Sequence, residues 1–259
     1  MSSSNSTQSR DGTVISFSCA GSGAALILVE PAGHYRELSA FNELVPLLTP
    51  SFTVYTYDRR GRGQSGDTLP YAPEREVEDL VALIRAAAGH AFVYGYSSGA
   101  LLALHAAAMG APIDRLVLLE PPLHEEGQLR PDPLTVKLAE LIATGRNENA
   151  VAQFHSAVGV PEEMIAEMHG TDMWSKMTRI AHTLVYDCML SDATTTATCK
   201  AVAVPALVLD SQNSTDDLTG WAAKAARLIP MARHKSLPGE WHTVAPELVA
   251  KELRAFFAV

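Results

Sequence analysis

Short, nearly continuous apolar runs alternate with amphipathic stretches along most of this chain. AALILVE (24–30), FTVYTYD (52–58), AFVYGYS (91–97), RLVLLE (115–120) and PALVLD (205–210) have the length of strands. Their continuity predicts strands covered on both faces, as in a parallel sheet. TVISFSC (13–19) alternates and runs into AGSG, which predicts an edge strand with a turn. ARHKSLP (232–238) predicts a more polar final strand. Helical periodicity covers roughly 36–48, 73–88, 98–109, 218–229 and 246–257. The alternation predicts an α/β fold with a mostly parallel, doubly wound sheet. Ligands of such sheets bind beyond the carboxyl ends of the strands. Chemistry is therefore expected around 30–34, 58–66, 96–99, 120–124, 210–217 and 239–243.

One interval breaks the rhythm. From 122 to 200 no strand pattern occurs, and Gly and Pro punctuate what reads as three or four helices. This predicts a helical cap at 122–200 over a core formed by 13–121 and 201–259, with 1–12 as a flexible polar tail.

Composition narrows the function. A net charge of −9 without a basic run argues against nucleic acid and anionic membrane as partners. No apolar run is long enough to cross a bilayer, and the first residues, MSSSNSTQSR, lack the apolar centre of a secretory signal. The three cysteines, Cys19, Cys188 and Cys199, lack metal-site spacing and suit free thiols in a reducing compartment. A cytoplasmic monomer or homodimer acting on a small molecule is the expectation.

The sharpest chemical signal is VYGYSSGALLALHAAA (93–108), which holds Gly95-x-Ser97-x-Gly99 between a predicted strand and a predicted helix. Such a turn presses the central serine hydroxyl outward, and the glycines make room for the turn. The helix start adds backbone N–H groups and dipole where negative charge would develop. With this elbow, an oxyanion-type loop after LILVE, the segment YDRRGRGQSG (57–66) and a late histidine, nearly the whole chain resembles the α/β-hydrolase fold family. DRRGRGQSG is similar to the family's D-x-R-G-x-G-x-S segment. There Asp58 reads as structural, and the arginines as either solvated or holding the loop.

The resemblance implies a nucleophile at Ser97 and a general base at His242, in SLPGEWHTVAPEL between the last strand and the last helix. Among the other histidines, His105, His90 and His234 read as core or surface positions. His155, His169 and His182 belong to the cap, while His34 and His124 lie near the expected site. The family's His-Gly after the first buried strand is replaced here by Glu30-Pro31. Proline has no N–H to donate. The oxyanion donors are then expected to be Ala32, with Gly33 as the alternative, together with Ser98.

The acid that orients the histidine is the open question. In much of the family it follows the strand represented by PALVLD, a place that falls here on Ser214, which cannot serve. Asp210 comes early. Asp216 and Asp217 follow Thr215 as a helix start would. The competing position is Glu120, at the end of RLVLLE and before two prolines. Some family members, among them lactone hydrolases acting on zearalenone, take their acid from this strand. A carboxylate after such an apolar strand needs a partner, which His242 would supply. Glu120 is the favoured acid, with Asp210 and Asp216 as alternatives and Glu125 and Glu126 as solvated cap residues. Within the cap, Trp174, Met177 and Tyr186, with His34 from the core, are candidate substrate contacts; methionine adapts to varied apolar shapes. The resemblance implies an esterase or lactonase for a small, largely apolar molecule, acting through Ser-His-Glu and an acyl-enzyme without metal or cofactor. Thioesterase, lyase, perhydrolase or C–C hydrolase chemistry uses the same scaffold, and a non-catalytic binder of small molecules is the remaining rival.

Overall fold

Eight strands form one sheet in the computed structural model, which describes residues 5–123 and 130–258. In chain order they are β1 (Asn5–Gln8), β2 (Val14–Gly21), β3 (Ala24–Val29), β4 (Phe52–Tyr57), β5 (Ala91–Tyr96), β6 (Ile113–Leu119), β7 (Ala206–Ser211) and β8 (Ala232–Leu237). Their spatial order is β1-β2-β4-β3-β5-β6-β7-β8. β2 pairs antiparallel with both β1 and β4, and every pair from β4 onward is parallel. The chain winds outward from β3 on one side and from β5 on the other. The switch point, where such sheets bind ligands, therefore lies between the carboxyl ends of β3 and β5.

Helices cover both faces. They are α1 (Leu44–Leu48), α2 (Pro73–Ala87), α3 (Ser98–Ala108), six helices between β6 and β7, then α10 (Asp216–Leu228) and α11 (Pro246–Phe257). The strand side chains divide by parity. Val93 faces a cluster with Leu80, Leu101 and Ala222, while its neighbours Phe92 and Tyr94 face the opposite cluster with Phe41, Leu253 and Phe257. That division fixes the register, because a one-residue slip would exchange the two faces.

The inserted helices are α4 (Pro133–Ala143), α5 (Asn147–Ala157), α6 (Glu162–Met168), α7 (Asp172–Arg179), α8 (Thr183–Ala193) and α9 (Thr196–Lys200). They are more numerous and shorter than the sequence predicts, because Gly145, Gly159 and Gly170, each at positive φ, break the periodicity. These inserted helices have their own apolar cluster, built on Leu138, Val151, Trp174, Met177 and Leu184. Two further expectations are corrected. Asn5–Gln8 is not a frayed tail but an edge strand, held by pairing Gln8 to Val14 through Asn5 to Phe17. Backbone hydrogen bonds suffice for such a strand, so no apolar pattern marks it. The helix expected over 36–48 is confined to Leu44–Leu48, because residues 31–43 form the turns of a loop at the switch point.

Candidate active site

The turn from β5 into α3 is a single residue, Ser97, at φ 54° and ψ −121°. Its N–H still donates to Leu119 O at 2.9 Å, while its carbonyl already accepts from Ala100 N at 2.9 Å. Strand and helix meet there without slack. The flanking glycines are sterically required. A Cβ on Gly95 would lie 2.5 Å from Gly99 O and 2.7 Å from Ala100 Cα. One on Gly99 would press into Val29 O and lie 2.6 Å from Glu30 O.

One strand over, Glu120 ends β6 in the same way, with its N–H donating to Leu209 O at 2.9 Å. Its side chain is fully buried. Oε2 accepts from His242 Nδ1, and Oε1 accepts from Ser211 N at 2.8 Å and from Ser214 Oγ at 2.5 Å. Burial pushes the carboxyl up, but the hydrogen bonds from His242, Ser214 and Ser211 outweigh it and hold Glu120 below its ordinary value. His242 sits at the turn between two-residue strands β9 (Gly239–Glu240) and β10 (Thr243–Val244). Its backbone is held at both ends: its N–H donates to Ser214 Oγ at 3.0 Å, and its carbonyl accepts from Tyr96 Oη. With Nδ1 engaged by Glu120, Nε2 is the nitrogen left to serve a hydroxyl.

Among the described residues, the non-glycine positions at positive φ are Ser97 (54°), Glu120 (46°) and His242 (52°). Each such position costs on the order of 1–3 kcal/mol and persists only where the surroundings over-determine it. Here the strain falls on the serine, histidine and carboxylate that the sequence singles out, at the ends of neighbouring strands and the following loop.

Beside them runs the loop after β3. Its turn places Gly33 at φ 71°, with His34 N donating to Pro31 O at 3.3 Å. The N–H groups of Ala32 and Ser98 donate to nothing among the described residues. Glu30 points away into the core, accepting from Ser39 Oγ and from Ala40 N at 3.1 Å. Burial pushes it up to about 7, against the lowering effect of those donors.

The sequence matches the alpha/beta hydrolase family over residues 19–253. The chain belongs to that family. An alpha/beta hydrolase from Sphaerobacter thermophilus is similar over 98% of this chain and 100% of its own, at 43% identity and a TM-score of 0.89. N-formylmaleamate deformylase of Pseudomonas putida is 37% identical over 112 residues, a match spanning 42% of this chain and 41% of that protein. The enol-lactonase of Burkholderia xenovorans shares the fold, with a TM-score of 0.74 at 20% identity over 98% of this chain and 100% of its own.

In this hydrolase the aspartates weighed as acids lie elsewhere. Asp210 pairs with His234 Nε2 at 2.6 Å, not with His242, because it sits on β7 directly beside β8. Asp216 and Asp217 are exposed in the first turn of α10, capped by Thr215. Ser214, a residue without a carboxylate, instead bridges Glu120 and His242 N through its hydroxyl. It stands where the family's acid usually falls, and no local pattern in the sequence marks this bridging role.

The arginines of the 57–66 segment are not solvated. Arg59, Arg60 and Arg62 are buried in ion pairs with Glu76, Asp79 and Asp187. Asp58 holds its loop by accepting from Arg36 N, Arg36 Nη2 and Gln64 N, each at 2.9 Å. Trp174 and Met177 are buried inside the apolar cluster of the inserted helices, whose edge reaches Ala32 and Leu38. Tyr186 ties α8 to the segment before α2: its hydroxyl donates to Asp67 at 2.9 Å and its ring stacks on Tyr71 at 4.0 Å. His34 is half-buried on the loop after β3, with Nδ1 2.8 Å from Ala32 O. Burial lowers its pKa. His124, Glu125 and Glu126 lie outside the described residues. No cluster of His, Cys, Asp or Glu among the described residues has the makings of a metal site, and no described helix is long and apolar enough to cross a membrane.

Proposed function

We propose that this hydrolase cleaves an ester or lactone of a small, largely apolar molecule through Ser97, His242 and Glu120. The observation that carries the reading is the buried Glu120 carboxylate on His242 Nδ1, one strand from the Ser97 elbow. That contact fixes the tautomer with Nε2 as base and stabilises the imidazolium that forms when Nε2 takes a proton. Ser97 Oγ attacks the carbonyl as its proton passes to His242. The N–H groups of Ala32 and Ser98 receive the oxyanion. The tetrahedral intermediate collapses as His242 gives the proton to the leaving oxygen, leaving an acyl-Ser97. Water, deprotonated by the same histidine, then releases the acid and restores the hydroxyl.

A second reading is cleavage of an N-acyl bond, with nitrogen as the leaving atom. The 37% identity to a deformylase over 112 residues favours it. The same residues would serve, since His242 protonates nitrogen as readily as oxygen. A panel of p-nitrophenyl esters, lactones and N-formyl amides, run with wild type and Ser97→Ala, separates the two. Turnover confined to the amides would replace the ester reading. Absence of fluorophosphonate labelling at Ser97 in the folded wild type would remove both.

A further inference from the structure

Both residues expected to supply oxyanion N–H groups are linked to one carboxylate of α8, Ala32 through its peptide and Ser98 through its hydroxyl. Asp187 of α8 is buried and takes both Arg62 Nη2 (2.8 and 2.7 Å to its two oxygens) and Arg59 Nη1 (2.7 Å). Arg62 Nη1 in turn donates to Pro31 O at 3.0 Å and to His34 O at 3.2 Å. Arg59 Nη1 donates to Glu30 O at 3.2 Å and to Ser98 Oγ at 3.2 Å. The Pro31–Ala32 peptide is not among the cis bonds, so its C=O and N–H point in opposite directions. A guanidinium that grips Pro31 O from the core side therefore turns the Ala32 N–H away from the core. The positive charge on that carbonyl also polarises the peptide and strengthens its N–H as a donor.

We propose that Arg62 and Asp187 are positioning residues that aim and polarise the Ala32 N–H, so that the cap helix α8 sets the strength of the oxyanion site. This inference rests on the serine-hydrolase reading above. Burial pushes the Asp187 carboxyl up, but the two guanidinium groups outweigh it and keep it low, so the clamp stays charged. Cap and oxyanion loop then form one unit, and displacing α8 disarms the site without touching Ser97, His242 or Glu120.

The test compares Arg62→Lys with Arg60→Lys on p-nitrophenyl butyrate. Lysine at 62 keeps a cation beside Asp187, but its single nitrogen cannot replace the fork that spans Asp187, Pro31 and His34. The expected result is a kcat lower by about 10²-fold, the loss typical of one oxyanion donor, with KM within about threefold. Arg60 is the control: it is a buried arginine of the same segment, held by Asp79 and Asp11, with no bond to residues 30–34. Arg60→Lys should keep wild-type kcat. An Arg62→Lys enzyme with wild-type kcat, or equal losses in both variants, would overturn the inference. The wild-type protein gives a second readout without substitution. On phosphonylation of Ser97 by a p-nitrophenyl phosphonate, the Ala32 amide and Arg62 guanidinium proton resonances should shift together, and an unmoved pair overturns the inference. A wild type that neither turns over ester nor is phosphonylated overturns the underlying reading and this inference with it.

Discussion

Glu120 is fully buried and holds its charge because three donors are aimed at its carboxylate: His242 Nδ1, Ser214 Oγ and Ser211 N. Its pKa lies below the ordinary 4.5, so the stability it contributes is present above that value and is lost as pH falls through the folded one. Glu120→Gln keeps the shape and removes the charge that fixes the histidine tautomer. A kcat loss on the order of 10⁴ is expected, while Asp210→Asn should stay within a few-fold of wild type. If steady-state kinetics show the reverse, the acid is Asp210. Glu30 behaves oppositely. Burial raises it to about 7, so between pH 4.5 and 7 the unfolded chain ionises this group and the folded chain does not. Stability should therefore fall as pH rises across that window and level off above it. Glu30→Gln mimics the protonated form, accepting from Ala40 N while its amide donates to Ser39. Its Tm should fall less than wild type's over the same pH range. Parallel Tm–pH curves would show that Glu30 carries no such linkage.

At the scale of elements, two helical glycines with ordinary φ behave differently on substitution. Gly220, within α10, has nothing within 4 Å of an added Cβ, so Gly220→Ala should stabilise by about 0.5–1 kcal/mol through backbone entropy alone. Gly99, at the start of α3, would drive a Cβ into Val29 O and Glu30 O. Gly99→Ala should cost more than about 3 kcal/mol, since neither strand end nor helix can yield, and under the proposed function it should lower kcat by displacing the loop after β3. Denaturant melts of both variants check the pair, and a neutral Gly99→Ala would mean that the β3–α3 contact is softer than its geometry. The same elements show what the chain makes legible. The buried parallel strands declare themselves because both faces are apolar, and the elbow does because close packing demands Gly95 and Gly99. Glu120 is legible as a carboxylate that an apolar strand would not tolerate alone. β1 is hidden because NSTQ pairs through its backbone and buries almost nothing. The burial of Arg59, Arg60 and Arg62 is hidden too, because their partners Glu76, Asp79 and Asp187 are distant in sequence. The role of Ser214 needs the approach of two loops that no local pattern encodes.

Across the whole molecule, the joint between the inserted helices and the sheet sets which of those helices can move. α8 is bound to the core by Asp187 on Arg59 and Arg62 and by Tyr186 on Asp67 and Tyr71. Directly after it, Thr194 Oγ1 bonds His105 of α3. Breaking a buried pair such as Asp187 with its arginines costs about 3–5 kcal/mol, because it strands the remaining charge. Lifting α8 would meet that cost at every opening and would release the loop after β3 as well. α6 has the opposite character: none of its residues is buried, Met164 is half exposed, and it rests on α5 by the flanks of Ile165 and Met168. Of the two, α6 and its flanking turns are therefore expected to be the more mobile, with α8 remaining fixed to the core. Local opening with few buried contacts exchanges amide hydrogens fast, whereas opening that breaks the core approaches the global unfolding energy. Native-state exchange should show the Glu162–Met168 amides exchanging orders of magnitude faster than those of Thr183–Ala193, which should track β5 and α3. Equal protection in α6 and α8 would mean that the inserted helices move as one body, and the joint at Asp187 would then have to open with them.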